Sequence, residues 1–527
     1  MASVSEIVKR LLPEGTRDGP RKTWESCPYW PPDVFAVAAT LAELSGCYSW
    51  HRPAPSSRQQ YNLDARELGR KWRDDLTPPL EVANWWKQLT SCGLDVSEMP
   101  TGACDAAMRL LAVADEASEG IGFKSEDPSS FQALYLAASA KSTFRRQARV
   151  LLPNVRETVG SRLSPSEACV QPKSRTAQVG CTLRSLSHHL ALLPPQGVVT
   201  THWGISVAPP QFSEHLNILL VPFPYVVPDD VFEARNPRGR SGSYFGVRQS
   251  WLPSNSRELI RFIDQLWDAA TTRGARVDAV VFPELSLSPE IAGLVSARLR
   301  RRGLEFFVAG VGPRTGGAPE NFAEIHVGAD LSRQGKHHRW CLENSQLRRY
   351  RLAHVLDAAK IWWEDIELPR REVNFLVFRP GATLAVLVCE DLARIDPAQV
   401  VLRSVGANLV IALLFDGPQL DSRWPARYAT VLADDPGSSV LTITSLGMAR
   451  RAQSNLDVEI ALWKEAGSSA TALPLPPGHQ ALLLSLALKT EENWTLDGRS
   501  DQGTSYRVSL EQHEAIKISD PPAWAMC

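Results

Sequence analysis

The chain has 527 residues, of which 44% are hydrophobic and 22% charged, and its formal net charge is −1. This composition is typical of a globular protein with a sizeable core, and the length suggests more than one domain. The near-neutral charge excludes an overall electrostatic attraction to nucleic acid or to an anionic membrane. The longest apolar runs, such as residues 409–415, are too short to cross a bilayer, so no membrane partner is expected.

The nine cysteines include no Cys-x-x-Cys pair and show no spacing typical of a metal site. This usage favours a reducing compartment, and the first six residues lack the basic and apolar segments of a secretory signal. We therefore expect a cytoplasmic protein. The basic runs 298–302, 336–339 and 348–351 are interpreted as solvated faces, and nucleic-acid binding by one of them stays open.

The first 200 residues are predicted to form a mainly helical domain. One helix covers residues 34–44, because Pro31 and Pro32 stand near its start and Gly46 just past its end. The other predicted helices cover residues 79–89, 103–117 and 129–152. The mixture of arginine, serine and histidine at residues 184–189 indicates either a surface for a protein partner or an ordinary solvated face.

A change of pattern follows this region. Proline-rich sequence between residues 190 and 212 marks a boundary, and we predict a linker at 201–215, a second domain at 216–488 and a C-terminal extension at 489–527. The predicted strands are residues 216–221, 277–282, 306–311, 384–388, 409–414 and 440–444, and the predicted helices are residues 254–270 and 291–302. This alternation indicates an α/β domain whose sheets are covered by other layers.

Three polar residues in this domain form a candidate site. Glu284 ends Val-Val-Phe-Pro-Glu, Cys389 ends Leu-Ala-Val-Leu-Val-Cys, and Lys336 lies between them. Taken singly, each has a simpler structural interpretation. A cysteine at the end of a buried strand is usually a small core residue, and a Pro-Glu pair usually caps a helix.

Together and in this order, these residues resemble the nitrilase superfamily of carbon–nitrogen hydrolases. The resemblance implies an αββα four-layer sandwich, preceded here by the mainly helical region. It also implies a small amide or nitrile substrate, a thioester intermediate and no metal or organic cofactor. Members of the family usually pair through helices beside the site, which implies a homo-oligomer whose contacts include residues 423–432.

The chemistry that the resemblance implies needs these residue types. A free thiol is mostly protonated at neutral pH, so Cys389 needs a base such as Glu284 to become an effective nucleophile. Attack on an amide carbon develops negative charge, which Lys336 and backbone N–H groups around Glu390 would stabilise. A neighbouring lysine favours the thiolate, whereas ionised Glu284 opposes it, so we expect the pKa of Cys389 to be moderately lowered and Cys389 to be the most reactive cysteine.

The lysine has an alternative. Lys360 lies 29 residues before Cys389, which fits the family spacing better than the 53 residues that separate Lys336 from it. Lys336 is nevertheless preferred, because Glu343 follows it by seven residues, near where the family often places a second active-site carboxylate. Lys360, beside two tryptophans, has the character of a surface lysine whose stem covers apolar groups.

Further residues are predicted around the pocket. Asp416 ends the next strand at the same edge as Cys389, and such edges line ligand crevices, so Asp416 and Glu390 are predicted to contact substrate. Arg423 and Arg427 belong to the following helical run, where pocket lining and ordinary surface charge are equally good interpretations. The pair at 337–338 lacks a third histidine or cysteine at metal-ligand spacing.

The chain also resembles the nitrilase-like proteins tied to bacterial anti-phage defence, some of which are linked to reverse transcriptases. It carries no polymerase signature. Two functions are therefore compared: a working thiol amidohydrolase, and a catalytically inactive nitrilase-fold module for binding, sensing or assembly. Intact Glu284 and Cys389 favour the hydrolase, whereas the unusual lysine spacing and the N-terminal half favour the module.

Overall fold

The structure is a computed structural model, described for residues 2–13, 23–50, 55–121, 158–163, 166–176, 182–193, 200–205, 213–272, 276–313, 317–328, 330–379, 381–452, 457–503 and 505–526. The helix predicted at 129–152 lies outside these residues. The α-helices are α1 (Val4–Leu11), α2 (Pro31–Ser45), α3 (Cys47–Trp50), α4 (Pro55–Asp75), α5 (Leu80–Thr90), α6 (Thr101–Ala117), α7 (Ser256–Thr271), α8 (Pro289–Arg300), α9 (Asn344–Arg349), α10 (Val400–Val405), α11 (Trp424–Asp434) and α12 (Leu446–Ala452).

The strands of the first half are β1 (Cys169–Pro172), β2 (Leu190–Leu193), β3 (Thr200–Ile205), β4 (His215–Leu220), β5 (Phe232–Arg235), β6 (Ser243–Val247), β7 (Ala279–Leu287), β8 (Phe306–Val311), β9 (Phe322–Val327) and β10 (Asp330–Gly335). The remaining strands are β11 (Cys341–Leu342), β12 (Trp362–Glu364), β13 (Glu372–Arg379), β14 (Ala382–Val388), β15 (Leu409–Leu414), β16 (Ser439–Thr444), β17 (Val458–Lys464), β18 (Thr471–Leu475), β19 (Ala481–Glu491) and β20 (Ser505–Ile516).

The N-terminal region is built around α6, which packs against α2, α4 and α5. Alanine, leucine and methionine bury most sides of this helix, so it forms the centre of a helical cluster. Helix α2 has prolines at its first two positions and ends at Gly46, whose φ of 70° only glycine adopts without strain. The three predicted helices within the described residues of this region are present.

Two seven-stranded sheets form the core of the larger part. The first has the order β10-β9-β8-β7-β4-β19-β20, and the second has the order β18-β17-β16-β15-β14-β13-β3. They pack face to face through contacts such as β7 with β15 and β10 with β13. Helices α7 and α8 cover the outer face of the first sheet, and α11 and α12 that of the second. The predicted αββα sandwich is confirmed.

Burial explains why the central strands show no polar alternation in the sequence. Every residue of β8, β14, β15 and β16 is buried, because each strand has another layer on both faces. The apolar runs that predicted these strands therefore correspond to the middle of each sheet. A smaller four-stranded sheet, in the order β11-β12-β6-β5, lies apart from the two large ones and contributes residues to the site.

The predicted boundaries differ from the structure at both edges of the sandwich. Residues 200–205 form β3, which pairs in parallel with β13, so the predicted linker at 201–215 is wrong over its first five residues. The predicted extension at 489–527 contains β20, which pairs with β19 and completes the first sheet. Edge strands are joined to the sheet by backbone hydrogen bonds and carry polar side chains, so no continuous apolar run identified them.

Two further strands lie within the region predicted to be helical. Strands β1 and β2 pair in antiparallel register beside the helical cluster, with Val170 opposite Leu192. Backbone hydrogen bonds such as Ser174 N to Val405 O connect this hairpin to the sandwich. Within the described ranges, none of the helices combines the length and the apolar character needed to span a membrane.

Candidate active site

Four strands bring the candidate residues together at one end of the sandwich. Glu284 lies in β7 and Lys336 directly follows β10, both in the first sheet. Cys389 directly follows β14 in the second sheet. Glu364 ends β12 of the smaller sheet. Because strand ends converge at a sheet edge, residues up to 105 positions apart in sequence become neighbours, as 284 and 389 do.

Lys336 is held between two carboxylates. Its Nζ lies 2.8 Å from Glu284 Oε1 and 2.6 Å from Glu364 Oε2, and all three side chains are buried. Asn321 Nδ2 donates to Glu284 Oε1 at 2.8 Å and to Glu364 Oε1 at 2.9 Å. Lys360 is instead an exposed residue whose Nζ lies 3.6 Å from Asp357. The structure thus brings Lys336, and not Lys360, beside Glu284.

The backbone is strained at two positions of the site. Cys389 has a φ of 50° and Leu285, next to Glu284, a φ of 56°. Left-handed backbone in a non-glycine residue costs about 1–3 kcal/mol and persists only where the surroundings enforce it. Cys389 thus begins a sharp turn, Cys389–Ala393, directly at the end of β14.

Gly310 in β8 makes room for the irregular strand that carries Glu284. The register of β7 against β8 shifts between Phe282 and Leu287. A Cβ on Gly310 would lie 2.3 Å from both Glu284 Cα and Pro283 O, closer than real contacts allow. Only glycine lets the two backbones approach this closely at the bulge.

Burial and neighbouring charges set the pKa values of Glu284 and Lys336. Burial raises the pKa of Glu284, although Lys336 opposes the shift. Burial works against the ammonium of Lys336, but Glu284 and Glu364 outweigh it and raise the pKa of Lys336 well above its ordinary value. At neutral pH the lysine is therefore a fixed cation.

Cys389 differs from the expectation of a lowered pKa. Burial raises the pKa of its thiol well above the ordinary value, and Glu284 adds to this shift, while Lys336 opposes it. Lys336 already faces two carboxylates, so little of its positive field remains to stabilise a thiolate. The thiol is therefore protonated at neutral pH.

The two carboxylate oxygens of Glu284 differ in their hydrogen bonding. Glu284 Oε1 accepts from Lys336 and Asn321, whereas Oε2 is buried and has no hydrogen-bond partner among the described residues. A buried carboxylate oxygen without a donor is costly. The negative charge of Glu284 is also one of the causes that raise the pKa of the Cys389 thiol.

A cavity of about 50 Å³ adjoins Cys389. It is lined by Trp340, Gln346, Arg349, Tyr350, Cys389, Glu390, Phe415, Asp416, Arg423 and Trp424. Asp416 is held by hydrogen bonds from the Tyr350 hydroxyl, from Arg423 Nη2 at 3.0 Å and from Trp424 Nε1 at 2.9 Å. The predicted pocket residues Glu390, Asp416 and Arg423 thus all line the cavity.

Two of the predicted site residues, Glu343 and Arg427, lie outside the site. Glu343 is exposed and caps α9, where its side chain accepts from the backbone N–H of Gln346. Its carboxylate satisfies a helix end instead of facing Lys336, and Glu364 occupies that place. Arg427 is exposed on α11 and does not line the cavity, because only Arg423, before the first turn, folds back to Asp416.

Sequence reasoning missed Glu364, Asn321 and Tyr350. Glu364 ends the apolar run Ile-Trp-Trp, so the rule that selected Glu284 and Cys389 could also have selected it. Asn321 directly precedes the apolar β9 and carried a weaker signal of the same kind. No signal in the sequence pointed to Tyr350, which reaches Asp416 through the tertiary fold.

The histidine pair braces the turn after Cys389. The backbone N–H of His337 donates to both oxygens of Asp391, and His338 Nδ1 lies 2.8 Å from Asp391 Oδ1. Asp391 is buried, which would raise its pKa, but its hydrogen bonds with His337 and His338 prevail and lower it. Within the described ranges, no group of three or more histidine, cysteine, aspartate or glutamate residues could hold a metal ion.

Comparisons place these observations beside known proteins. No protein-family model matches the chain, and no curated protein sequence does. Solved structures similar to it include a glutamine-dependent NAD+ synthetase from Acinetobacter baumannii, with 14% identity and a TM-score of 0.34, over 58% of this chain and 49% of that one. The chain thus spans about half the length of that synthetase.

Two smaller structures are similar over most of their own length. An amidase from Nesterenkonia sp. AN1 shares 14% identity with a TM-score of 0.29, over 57% of this chain and 90% of that one. Saccharomyces cerevisiae Nit3, a member of branch 10 of the nitrilase superfamily, shares 13% identity with a TM-score of 0.30, over 58% and 91%. The αββα sandwich, with Glu284, Lys336 and Cys389 buried at one end of it, is the architecture that the sequence predicts.

Proposed function

We propose that the protein is a thiol amidohydrolase that cleaves the C–N bond of a small amide or nitrile. The observation that carries this proposal is the juxtaposition of Cys389, Glu284 and Lys336 beside an enclosed cavity. A nucleophile on a strained turn, a buried carboxylate with one unpartnered oxygen and a fixed cation are the parts that acyl transfer through a thiol needs.

In the first half of the reaction with an amide, Cys389 Sγ attacks the carbonyl carbon. The thiol proton passes to Glu284, whose raised pKa makes it a competent acceptor and later donor. The carbonyl oxygen takes up negative charge, which Lys336 and the backbone N–H next to Cys389 stabilise. Glu284 then returns the proton to the departing nitrogen, the C–N bond breaks, and an acyl thioester on Cys389 remains.

In the second half, water resolves the thioester. Glu284 removes a proton from the water as its oxygen attacks the acyl carbon. The C–S bond breaks, the carboxylic acid leaves, and the proton held by Glu284 returns to Cys389. Glu364 positions Lys336 and Asn321 positions Glu284 throughout, since each is hydrogen-bonded to one member of the buried pair.

The cavity favours a short substrate. A volume of about 50 Å³ holds only a few non-hydrogen atoms, and four aromatic side chains wall it: Trp340, Tyr350, Phe415 and Trp424. Asp416 is already saturated by Tyr350, Arg423 and Trp424, so it shapes the wall and does not act as a receptor for a cationic group.

The test is the formation of a fluoroacetyl thioester from 2-fluoroacetamide, an amide small enough for this cavity, with cleavage of the C–N bond and release of ammonia, and with the thioester trapped by acid quenching. We expect intact-protein mass spectrometry and peptide mapping to place one adduct on Cys389. The adduct does not form in Cys389→Ser, and Lys336→Met slows its formation by roughly 10²-fold, as loss of one oxyanion-stabilising group does. Lys360→Met is the matched control and reacts like the parent chain.

The competing function is a binding or sensing module that has lost catalysis. A role in anti-phage defence, suggested by the resemblance of the sequence, allows both to be compared in one assay. Phage plating is measured on bacteria that express the parent chain or Cys389→Ser. Loss of protection in the variant supports the hydrolase. Full protection by Cys389→Ser, together with no adduct on Cys389, overturns it in favour of the module.

A further inference from the structure

A second cavity, of about 480 Å³, lies apart from the Cys389 site. It is bounded by α4, the end of α6, the β1–β2 hairpin and the loop before β20. Its lining residues are Leu63, Arg66, Glu67, Arg70, Arg73, Glu116, Glu119, Arg175, His188, His189, Ser500, Asp501 and Gln502. None of them lines the Cys389 cavity. We call this second cavity the arginine cavity, and the proposed hydrolysis gives it no role.

The carboxylates of the arginine cavity are engaged within the protein. Glu116 Oε1 lies 2.6 Å from Nη1 of the buried Arg499. Glu119 is paired with Arg73. Asp501 accepts from the backbone N–H groups of Asn493 at 2.9 Å and of Gly503 at 3.0 Å. These three acids are committed to internal contacts, and only the exposed Glu67 adds an unengaged negative charge.

Three of the arginines that line the cavity, in contrast, have no ion-pair partner among the described residues. Arg66, Arg70 and Arg175 make no ion pair with any carboxylate of the described residues. Arg66 donates to the backbone carbonyl of Ser500, and Arg175 Nη2 lies 3.5 Å from His189 Nδ1. The lining contains four arginines and four acidic residues, so its formal charge is balanced, and the positive groups available to a ligand are Arg66, Arg70 and Arg175.

His188 and His189 contribute uncharged imidazole rings to the lining of the cavity. Burial lowers the pKa of His188 well below its ordinary value, and the nearby Arg499 adds to the effect. Burial likewise lowers the pKa of His189, with Arg175 as the next cause. Uncharged imidazoles can stack on a flat organic group and still accept or donate hydrogen bonds. Leu63 extends the apolar part of the lining.

We propose that the arginine cavity binds an organic phosphate of about nucleotide size. Guanidinium groups pair bidentately with phosphate oxygens, and three of them converge from α4 and from the β1–β2 hairpin. The volume falls in the range of small-molecule sites. The phosphate contacts Arg66, Arg70 and Arg175, while the organic part lies against the imidazoles and Leu63. This inference does not depend on the proposed hydrolysis.

The test is isothermal titration calorimetry of the full chain with inorganic pyrophosphate, AMP, ADP and adenosine. We expect pyrophosphate and ADP to bind and adenosine to bind at least tenfold more weakly than ADP. Arg70→Ala and Arg175→Gln each weaken ADP binding at least tenfold. Arg70 is exposed, so its replacement leaves the fold intact, which thermal unfolding of the unliganded variant checks. Arg261→Ala, in an exposed group of arginines on α7, is the matched control and binds like the parent.

Three outcomes overturn the proposal. One is that none of the phosphates binds. Another is that Arg261→Ala weakens binding as much as the two cavity variants, which indicates general charge. The third is that a single-stranded oligonucleotide binds with higher affinity than ADP and is insensitive to Arg175→Gln, which indicates a nucleic-acid surface elsewhere. Cys389→Ser binds ADP like the parent, and loss of binding in that variant assigns the phosphate to the other cavity.

Discussion

At the scale of single residues, the site depends on how three charges surround one thiol. Lys336 is paired with two buried carboxylates and thereby loses most of its influence on Cys389. The expected lysine-stabilised thiolate is replaced by a protonated thiol, which in the proposed reaction loses its proton during attack. Two predictions follow from this distribution, one for the nucleophile and one for the second carboxylate.

The first prediction concerns the pH dependence of Cys389. Its raised pKa means that the thiolate fraction is small at neutral pH and grows about tenfold per pH unit up to the pKa. Labelling of Cys389 by iodoacetamide, followed by peptide mass spectrometry from pH 7 to 10, should therefore keep rising beyond pH 9. A plateau below pH 8 would show that the thiolate is the resting form.

The same labelling experiment is repeated with the Glu284→Gln variant. Removing the neighbouring carboxylate removes one of the causes of the raised pKa, so the labelling curve should move to lower pH. The same change removes the base, so adduct formation with 2-fluoroacetamide should slow. Faster simple alkylation together with slower amide chemistry is the expected signature of a general base.

The second prediction separates Glu364 from Glu343. Glu364→Gln takes away one partner of Lys336 and of Asn321, so the lysine shifts and adduct formation should slow by roughly 10²-fold, as small misplacements do. Glu343→Gln, on an exposed helix cap, should react like the parent. Both rates are measured with 2-fluoroacetamide by mass spectrometry. Equal rates in the two variants would contradict a positioning role for Glu364.

At the scale of elements, the site depends on close approach of β7 and β8. Gly310→Ala would place a methyl group 2.3 Å from Glu284 Cα, so the strands must separate. We expect a loss of about 1–3 kcal/mol in the free energy of unfolding, measured in urea, together with loss of adduct formation. The separation moves Glu284 itself, so both readouts should change together.

A glycine on a helix provides the control for this substitution. Gly293 lies in α8, and a Cβ there meets no atom within 4 Å. Gly293→Ala should therefore leave the site unchanged and stabilise the protein by up to about 1 kcal/mol, because alanine is the better helix former. Equal stability of the two variants would contradict the packing argument for Gly310.

At the scale of the whole molecule, Arg499 joins the C-terminal segment to the N-terminal helices. Its side chain is fully buried and lies 3.2 Å from Asp115, 2.6 Å from Glu116 and 3.0 Å from Asp497. Arg499 Nη2 also donates to the backbone carbonyl of Leu186 at 2.6 Å. One side chain thus links α6, the region before β2 and the segment between β19 and β20.

Arg499→Met should destabilise the protein by about 3–5 kcal/mol, because it leaves buried carboxylates without a countercharge. Thermal and urea unfolding measure this loss. Arg248→Met is the control, since Arg248 pairs with Asp230 on the exposed surface and such pairs contribute little. A change of less than 1 kcal/mol in Arg499→Met would mean that the two regions are held together by other contacts.

The homo-oligomer expected from the resemblance stays a prediction. Residues 423–432 include α11, whose Val431 is an exposed apolar side chain. If two copies pair through this helix, Val431→Glu places like charges near a twofold axis and weakens the dimer. Sedimentation at micromolar concentration measures this, with the exposed Leu80→Glu as control. A parent chain that sediments only as a monomer contradicts the prediction.

The sequence by itself determined the central strands and the order of Glu284, Lys336 and Cys389. Continuous apolar runs such as β8 and β15 are typical of buried strands in an α/β domain, so their boundaries could be predicted to within a residue or two. Polar residues at the ends of such runs stand out for the same reason. The edge strands β3 and β20 gave no such signal, because backbone pairing and not side-chain burial holds them.

Only the tertiary structure decided which side chains contact Glu284, Lys336 and Cys389. The sequence left Lys360 as an alternative to Lys336, but the path after β10 buries Lys336, and the turn before β12 leaves Lys360 in solvent. Glu364, and not Glu343, is the second carboxylate beside Lys336, because Glu343 lies at the start of α9 as its N-cap. The raised pKa of Cys389 also depends on burial and on charges from three separate segments. Spacing along the chain encodes none of these contacts, because they arise where distant strand ends meet.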